Sequence, residues 1–207
     1  YRIRNSSFRM AEPRWTIEQA SLVLSDTVRI SFQRCLCPPL GRYESPPSSL
    51  GALPAGVDGL GGFLVPLADD EALWSGLETC GAGAVRVWIA AEMEDLRLWN
   101  AVSGNLWETD THTHLTSPPA FACDGIANQG RSTRAFFRRA PAPDCLGCRT
   151  LKLEAEGECD NTGTGLMNHR SQAQVSLVDY ATFCESTGQP PPLALKGLTY
   201  YRGWRLP

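Results

Sequence analysis

Four stretches of this chain alternate apolar and polar residues with a period of two, and that pattern restricts the fold more than any other feature. In residues 27–34, Val28, Ile30 and Phe32 share one side, while Thr27, Arg29, Ser31 and Gln33 share the other. Val85, Val87, Ile89 and Ala91 repeat the pattern in residues 84–92. In residues 150–158, Leu151, Leu153 and Ala155 alternate with Lys152, Glu154, Glu156 and Glu158; Ala173, Val175 and Leu177 do the same in residues 172–179. Successive side chains of an extended chain point to opposite faces, so each stretch reads as a strand with one buried and one solvated face. A wet face favours antiparallel pairing. A chain of 207 residues holds one sizeable core. The expected fold is therefore mainly β: an antiparallel β-sandwich-like domain with one or two short helices and Pro-rich arms.

The remaining elements follow from local signals. Residues 20–24 are expected as a strand joined to the first by a Ser25-Asp26 turn. Residues 131–139 (RSTRAFFRR) read as a strand that precedes residues 150–158 across a Pro-containing loop; paired as a hairpin, the two would place arginines opposite glutamates. Residues 69–78 are expected as a helix with acids in its first turn. Residues 179–186 are expected as another, with Asp179 as N-cap and Gly188 just past its end. Residues 38–56 contain five prolines and read as a long surface loop or arm. Residues 1–18 read as an N-terminal extension, residues 19–207 as one β-rich domain, and residues 190–207 as its Pro-rich, aromatic tail.

Charge and hydropathy narrow the partners. A net charge of -3 excludes a strongly basic nucleic-acid footprint over the whole chain. The longest apolar runs are strand-sized, so no transmembrane segment of helical length is expected. Residues 1–9 carry three arginines, two serines and no acid, which resembles the tail of a transit peptide. Together with eight cysteines this favours an organelle or another non-cytosolic compartment. Asn5-Ser6-Ser7 is a glycosylation sequon, which matters only in a secreted chain.

The sequence carries no recognisable catalytic signature. There is no G-x-S-x-G, P-loop, dinucleotide fingerprint or H-E-x-x-H. Asp110, His112 and His114 would project together from a strand and offer a transition-metal site, but the surrounding Thr, Ser and Pro residues suggest a polar loop. Cys35 and Cys37, with Cys145 and Cys148, are structural cysteines on this reading: disulfides, buried thiols or a four-thiolate structural zinc site. Apart from that zinc, no cofactor is expected. Ser103 in Asn100-Ala101-Val102-Ser103-Gly104 reads as part of a turn.

Aromatic residues carry the remaining functional signal. Trp88 falls on the polar side of its strand, beside Arg86 and Glu92. A tryptophan there is either covered by an arm of the chain or offered to a partner. Coverage by the Pro-rich arms is preferred. Tyr200, Tyr201 and Trp204 in the tail join Trp88 as candidate contact residues.

Several blocks occur in an order that resembles a family of hypothetical proteins from environmental bacteria and some microbial eukaryotes. They are residues 29–34 (RISFQR), 61–67 (GGFLVPL), 71–74 (EALW), 100–104 (NAVSG) with Trp107, 124–126 (DGI), 175–180 (VSLVDY) and 187–192 (TGQPPP). The chain is similar to a shortened, diverged member, with Cys35 and Cys37 at positions usually not cysteine and an abbreviated segment around 159–172. The resemblance implies a shared β-rich fold. The functional expectation is a non-catalytic structural or interaction protein, an accessory subunit that binds other protein subunits. The alternatives are a metal-dependent enzyme or metal-binding domain using the HxH pair, and a carbohydrate-binding module that stacks sugars on Trp88.

Overall fold

The alternating segments pair into two main sheets whose apolar sides share one core. The computed structural model describes residues 14–24, 27–36, 46–80, 83–127, 134–139, 141, 147–157, 170–193 and 195. The first sheet contains β1 (Trp15–Glu18), β2 (Ser21–Leu24), β3 (Val28–Leu36), β6 (Glu71–Thr79) and β10 (Ala122–Cys123), in that order and all antiparallel. The second runs β4 (Gly56–Val57), β5 (Phe63–Pro66), β14 (Ser171–Val178), β13 (Cys148–Gly157), β7 (Val85–Met93) and β8 (Leu98–Asn100). β9 (Leu115–Ser117) adds to the other end of β7, making seven strands. β11 (Ile126–Ala127) and β12 (Arg134–Ala135) form a small separate ladder.

The expected sandwich-like, mainly β architecture is therefore present. Val28, Ile30, Phe32, Leu73 and Leu77 of the first sheet meet Val87, Ile89, Leu151, Leu153 and Val175 of the second. Full burial of each such side chain contributes about 1.5–3 kcal/mol, which is why the period-two pattern sets the register so firmly. One pair is parallel: β5 beside β14, with Val175 opposite Phe63. A register shift between Cys148 and Thr150 turns Cys148 toward the core while Thr150 faces outward.

Four expectations are corrected. Residues 69–78 do not form a helix; Glu71–Thr79 is a strand, paired with β3 from Val28↔Thr79 to Leu36↔Glu71. Leu73 and Leu77 enter the main core, while Ala72 and Trp74 pack with Cys35 and Phe136 on the opposite face. Cross-strand pairing and two-faced burial outweigh the helix signal of a segment too short to be stable alone.

The described part of the segment 131–139, residues 134–139, forms no ladder with the glutamate strand, because β7 and β14 occupy both of its edges; one bond, Cys148 N to Arg138 O at 2.7 Å, touches the start of that strand. Instead β12 pairs with β11. Arg138 and Arg139 tie down the turn after β5: Arg138 Nη2 donates to Asp69 O at 3.3 Å, Arg139 Nε donates to Leu67 O at 3.1 Å, and Arg139 Nη2 pairs with the Asp69 carboxylate.

Half of the Pro-rich arm is also not a free arm. Leu53 N donates to Phe32 O at 2.8 Å and Arg34 N to Gly51 O at 3.0 Å, so this segment continues the edge of β3 beyond the end of β2. Leu53 and Ala55 are buried in the core. The fold also takes in Trp15–Glu18, within the stretch read as an extension, and Trp15 is buried. Residues 1–13 and the tail beyond residue 195 lie outside the described residues.

The second helix forms as expected. α1 (Tyr180–Thr187) starts where the Asp179 carboxylate accepts the Thr182 N–H at 2.8 Å, and ends at Gly188, whose φ of 69° is the left-handed cap glycine favours. Phe183 is its buried anchor. Among the described residues, no helix is long and apolar enough to cross a membrane.

Candidate functional site

The solvent side of the seven-stranded sheet is where the polar halves of the alternating strands collect. Register places Trp88 opposite Glu154, and Glu154 opposite Gln172. The next row is Ala90, Lys152 and Gln174, and beyond it come Glu92, Thr150 and Ser176.

This face is roofed at one end. The turn at residues 101–104 lies against β11, with the Ala127 N–H donating to Ala101 O at 2.9 Å. Gly104 has φ +73°, and a Cβ there would stand 1.9 Å from Ala127 O, so only glycine fits. From this turn a single 3-10 turn, Trp107–Thr109, folds Trp107 over the sheet. Trp107 packs with Trp88, Ala90 and Leu98 in an apolar cluster separate from the main core.

Cations stitch that cluster to the strands. The Arg170 guanidinium lies 3.8 Å from the centre of the Trp88 ring, and Lys152 Nζ lies 4.9 Å from that of Trp107. Each such contact contributes about 0.5–2 kcal/mol, more as water is excluded. Both cations meet Glu154, which is only 2% exposed: Lys152 Nζ at 2.8 Å, and Arg170 in a close ion pair. Arg170 also donates to Thr111 O at 3.1 Å. A buried carboxylate is tolerable here because two cations compensate it.

Beside this locked cluster the same face opens into a groove of about 470 Å³. Glu92, Thr150, Lys152, Gln172 and Gln174 supply its polar lining, and Leu96 and Leu98 its apolar wall. Among the described residues its lining includes no serine, cysteine or histidine.

The sequence-derived candidates distribute as follows. Trp88 is 5% exposed, covered by Arg170, Trp107 and His114, whose ring centre is 4.9 Å away. Among the described residues its cover is thus the loop carrying Trp107 and His114, with Arg170, and its ring is not offered to solvent. Asp110, His112 and His114 share one loop without converging. The Asp110 carboxylate accepts from Thr113 N at 3.1 Å, Thr113 Oγ1 at 2.7 Å and Asn105 Nδ2 at 3.1 Å. Hydrogen bonds from Ser103, then Thr113 and Asn105, hold its carboxyl well below the usual carboxylate range. His112 is exposed, and its carbonyl accepts from His114 Nδ1 at 2.7 Å, which makes Nδ1 the protonated nitrogen. Among the described residues, no three His, Cys, Asp or Glu side chains come together in a way that could hold a metal. Cys35 and Cys148 are both buried but in different clusters; Cys37, Cys145, His169, Tyr200, Tyr201 and Trp204 lie outside the described residues.

No family model, curated protein or solved structure matches this chain.

The loop chemistry gives a first test. Asp110 is depressed in the folded state, so its contribution is present above the unfolded carboxylate value of about 3.9 and is lost as pH falls below it. Replacing Asp110 with asparagine is expected to lower stability at pH 7 by about 1 kcal/mol. It should also flatten the loss between pH 5 and pH 2, measured as urea midpoints. An unchanged acid profile would mean that Asp110 does not organise the loop.

A second polar centre sits at one end of the sandwich. Arg34 points inward with Phe32 and is 5% exposed; Glu71 faces it and is 2% exposed. Arg34 Nε donates to Glu71 Oε1 at 2.9 Å, and Arg34 Nη1 to Leu193 O at 2.6 Å. The Tyr180 hydroxyl donates to the same carboxylate, 3.0 Å from Oε1 and 2.8 Å from Oε2. No sequence motif marks Arg170 or this centre. The usable signals were Trp88 on a polar face, and an arginine at the apolar-side position after Phe32.

Proposed function

We propose that this chain is a non-catalytic interaction domain, an accessory subunit of a larger protein assembly, which meets its partner through the groove on the outer face of the seven-stranded sheet. The groove itself carries this reading: a concave surface that mixes amides, a hydroxyl and a carboxylate with a leucine wall, beside a cluster already locked by its own ion pairs. A pre-ordered surface lowers the entropy cost of association. Lys152, the lining residue best suited to nucleophilic or base chemistry, is committed to Glu154 and Trp107. A sugar-stacking role for Trp88 is disfavoured by its cover of Arg170 and Trp107. Kinship with the family of hypothetical proteins named above is part of this proposal, and rests on the ordered blocks alone.

Native mass in a mild extract of the source organism tests the reading. The wild-type chain should elute well above its own 22.6 kDa with a reproducible set of co-eluting chains. A Leu96→Asn, Gln174→Tyr variant should elute near 22.6 kDa while unfolding at the wild-type temperature. Leu96 has φ 60° and is exposed, so asparagine removes its apolar wall without backbone cost. A free wild-type chain, or a variant that stays in the complex, would overturn the proposal.

A further inference from the structure

The charges of the groove are unevenly answered. Lys152 has Glu154 as its counter-ion at 2.8 Å and the Trp107 ring against its ammonium. The carboxylate of Glu92, a residue opposite Thr150 on one side and Leu98 on the other, has no ion-pair or hydrogen-bond partner among the described residues. The adjoining turn adds two exposed acids, Glu94 and Asp95. Its arginine, Arg97, is directed over the Trp99 ring at 5.3 Å. Arg149 is exposed beside Thr150 but does not line the groove. Among the described lining residues Glu92 is thus the charge without a partner, while Lys152 shares Glu154 with Arg170.

The neutral groups complement the same ligand. Gln172 and Gln174 each supply a carbonyl acceptor, and Thr150 a hydroxyl, within the groove that holds the Glu92 carboxylate. Leu96 and Leu98 form an apolar strip of the kind that the methylene stem of a lysine or arginine covers. An anion would find the lysine of the lining already held by Glu154 and the Trp107 ring, and the acids repulsive.

From this complementarity, and resting on the groove being the partner surface, we infer that it receives a basic side chain, lysine or arginine, of a partner protein. The cationic head meets Glu92, the stem lies along Leu96 and Leu98, and Gln172, Gln174 and Thr150 take the remaining N–H donors. A guanidinium uses this set most fully, since it carries five donors in a fixed fork.

The probes are two blocked pentapeptides, acetyl-Gly-Gly-Arg-Gly-Gly-amide and its glutamate counterpart, titrated into the isotopically labelled full chain by NMR. The arginine peptide should give saturable shifts at the side-chain amides of Gln172 and Gln174, and the glutamate peptide none. Glu92→Gln, which keeps shape and removes charge, should weaken the arginine peptide about tenfold with an unchanged thermal midpoint. Equal response to both peptides, no response to the arginine peptide, or full binding by Glu92→Gln would each overturn the cation assignment. The native-mass comparison of the Leu96→Asn, Gln174→Tyr variant decides separately whether the groove is a partner surface at all.

Discussion

Arg34→Met is expected to lower the unfolding free energy by about 3–5 kcal/mol, because it strands a carboxylate at the inner end of the sandwich. Glu71 is 2% exposed, and after the substitution keeps only neutral donors: the Tyr180 hydroxyl, and Ala68 N at 3.2 Å. Those bonds soften the loss but supply no counter-charge. The double variant Arg34→Met, Glu71→Leu removes both charges and should recover most of the stability, since apolar replacement of a whole buried pair is often neutral. Tyr180 adds a pH signature. Burial, and then its bond to Glu71, push the phenol above its ordinary value of about 10. A raised group contributes stability that is present below its unfolded value and is lost as pH rises toward the folded one. Wild-type protein should therefore lose stability above about pH 10, and Tyr180→Phe should lose less over that range. Urea unfolding at pH 7 and pH 11 reads all of these. An Arg34→Met protein within about 1 kcal/mol of wild type would show that the pair is not buried as described.

Trp88→Ala carries the other large effect. Truncating a buried tryptophan typically costs about 3–5 kcal/mol through lost burial and the cavity left behind. Here the change also removes the platform under Arg170, whose Nη2 holds Thr111 O and hence the loop bearing Trp107. The expected result is global destabilisation with early exposure of Trp107 to solvent, followed by fluorescence quenching. Trp88→Phe should cost much less. It keeps an aromatic face for the guanidinium and removes an indole N–H that is buried without an acceptor. A Trp88→Ala protein with a wild-type midpoint would mean that the ring is exposed and available to a ligand.

Sequence pattern carried the parts of this molecule in which burial and periodicity agree. β3, β7, β13 and β14 were legible because every second side chain enters one shared core. α1 was legible because its cap chemistry is local: Asp179 at one end, Gly188 at the other. β6 was not, since its leading acids imitate a helix start; the deciding fact is Glu71's pairing with Arg34, a partner far away along the chain. The arginine strand failed for a similar reason, because nothing in residues 150–158 announces that both edges are already taken. At the candidate site, the misplaced Trp88 could be read from its strand position, but its cover could not. Arg170 lies next to His169 with no periodic signal, and only folding brings it over the indole.

The parallel pairing of β5 with β14 has a consequence for synthesis. Phe63–Pro66 finds its neighbour more than a hundred residues later in the chain, so the β4–β5 hairpin leaves the ribosome with one edge open. Closing so long a loop is slow. Until Ser171–Val178 emerges, β13 likewise has β7 on one side and nothing on the other. An exposed strand edge is a template for pairing with another chain. The interval between translation of residue 66 and residue 178 is therefore the period in which a nascent copy is most open to capture, by a chaperone or by its twin on the next ribosome.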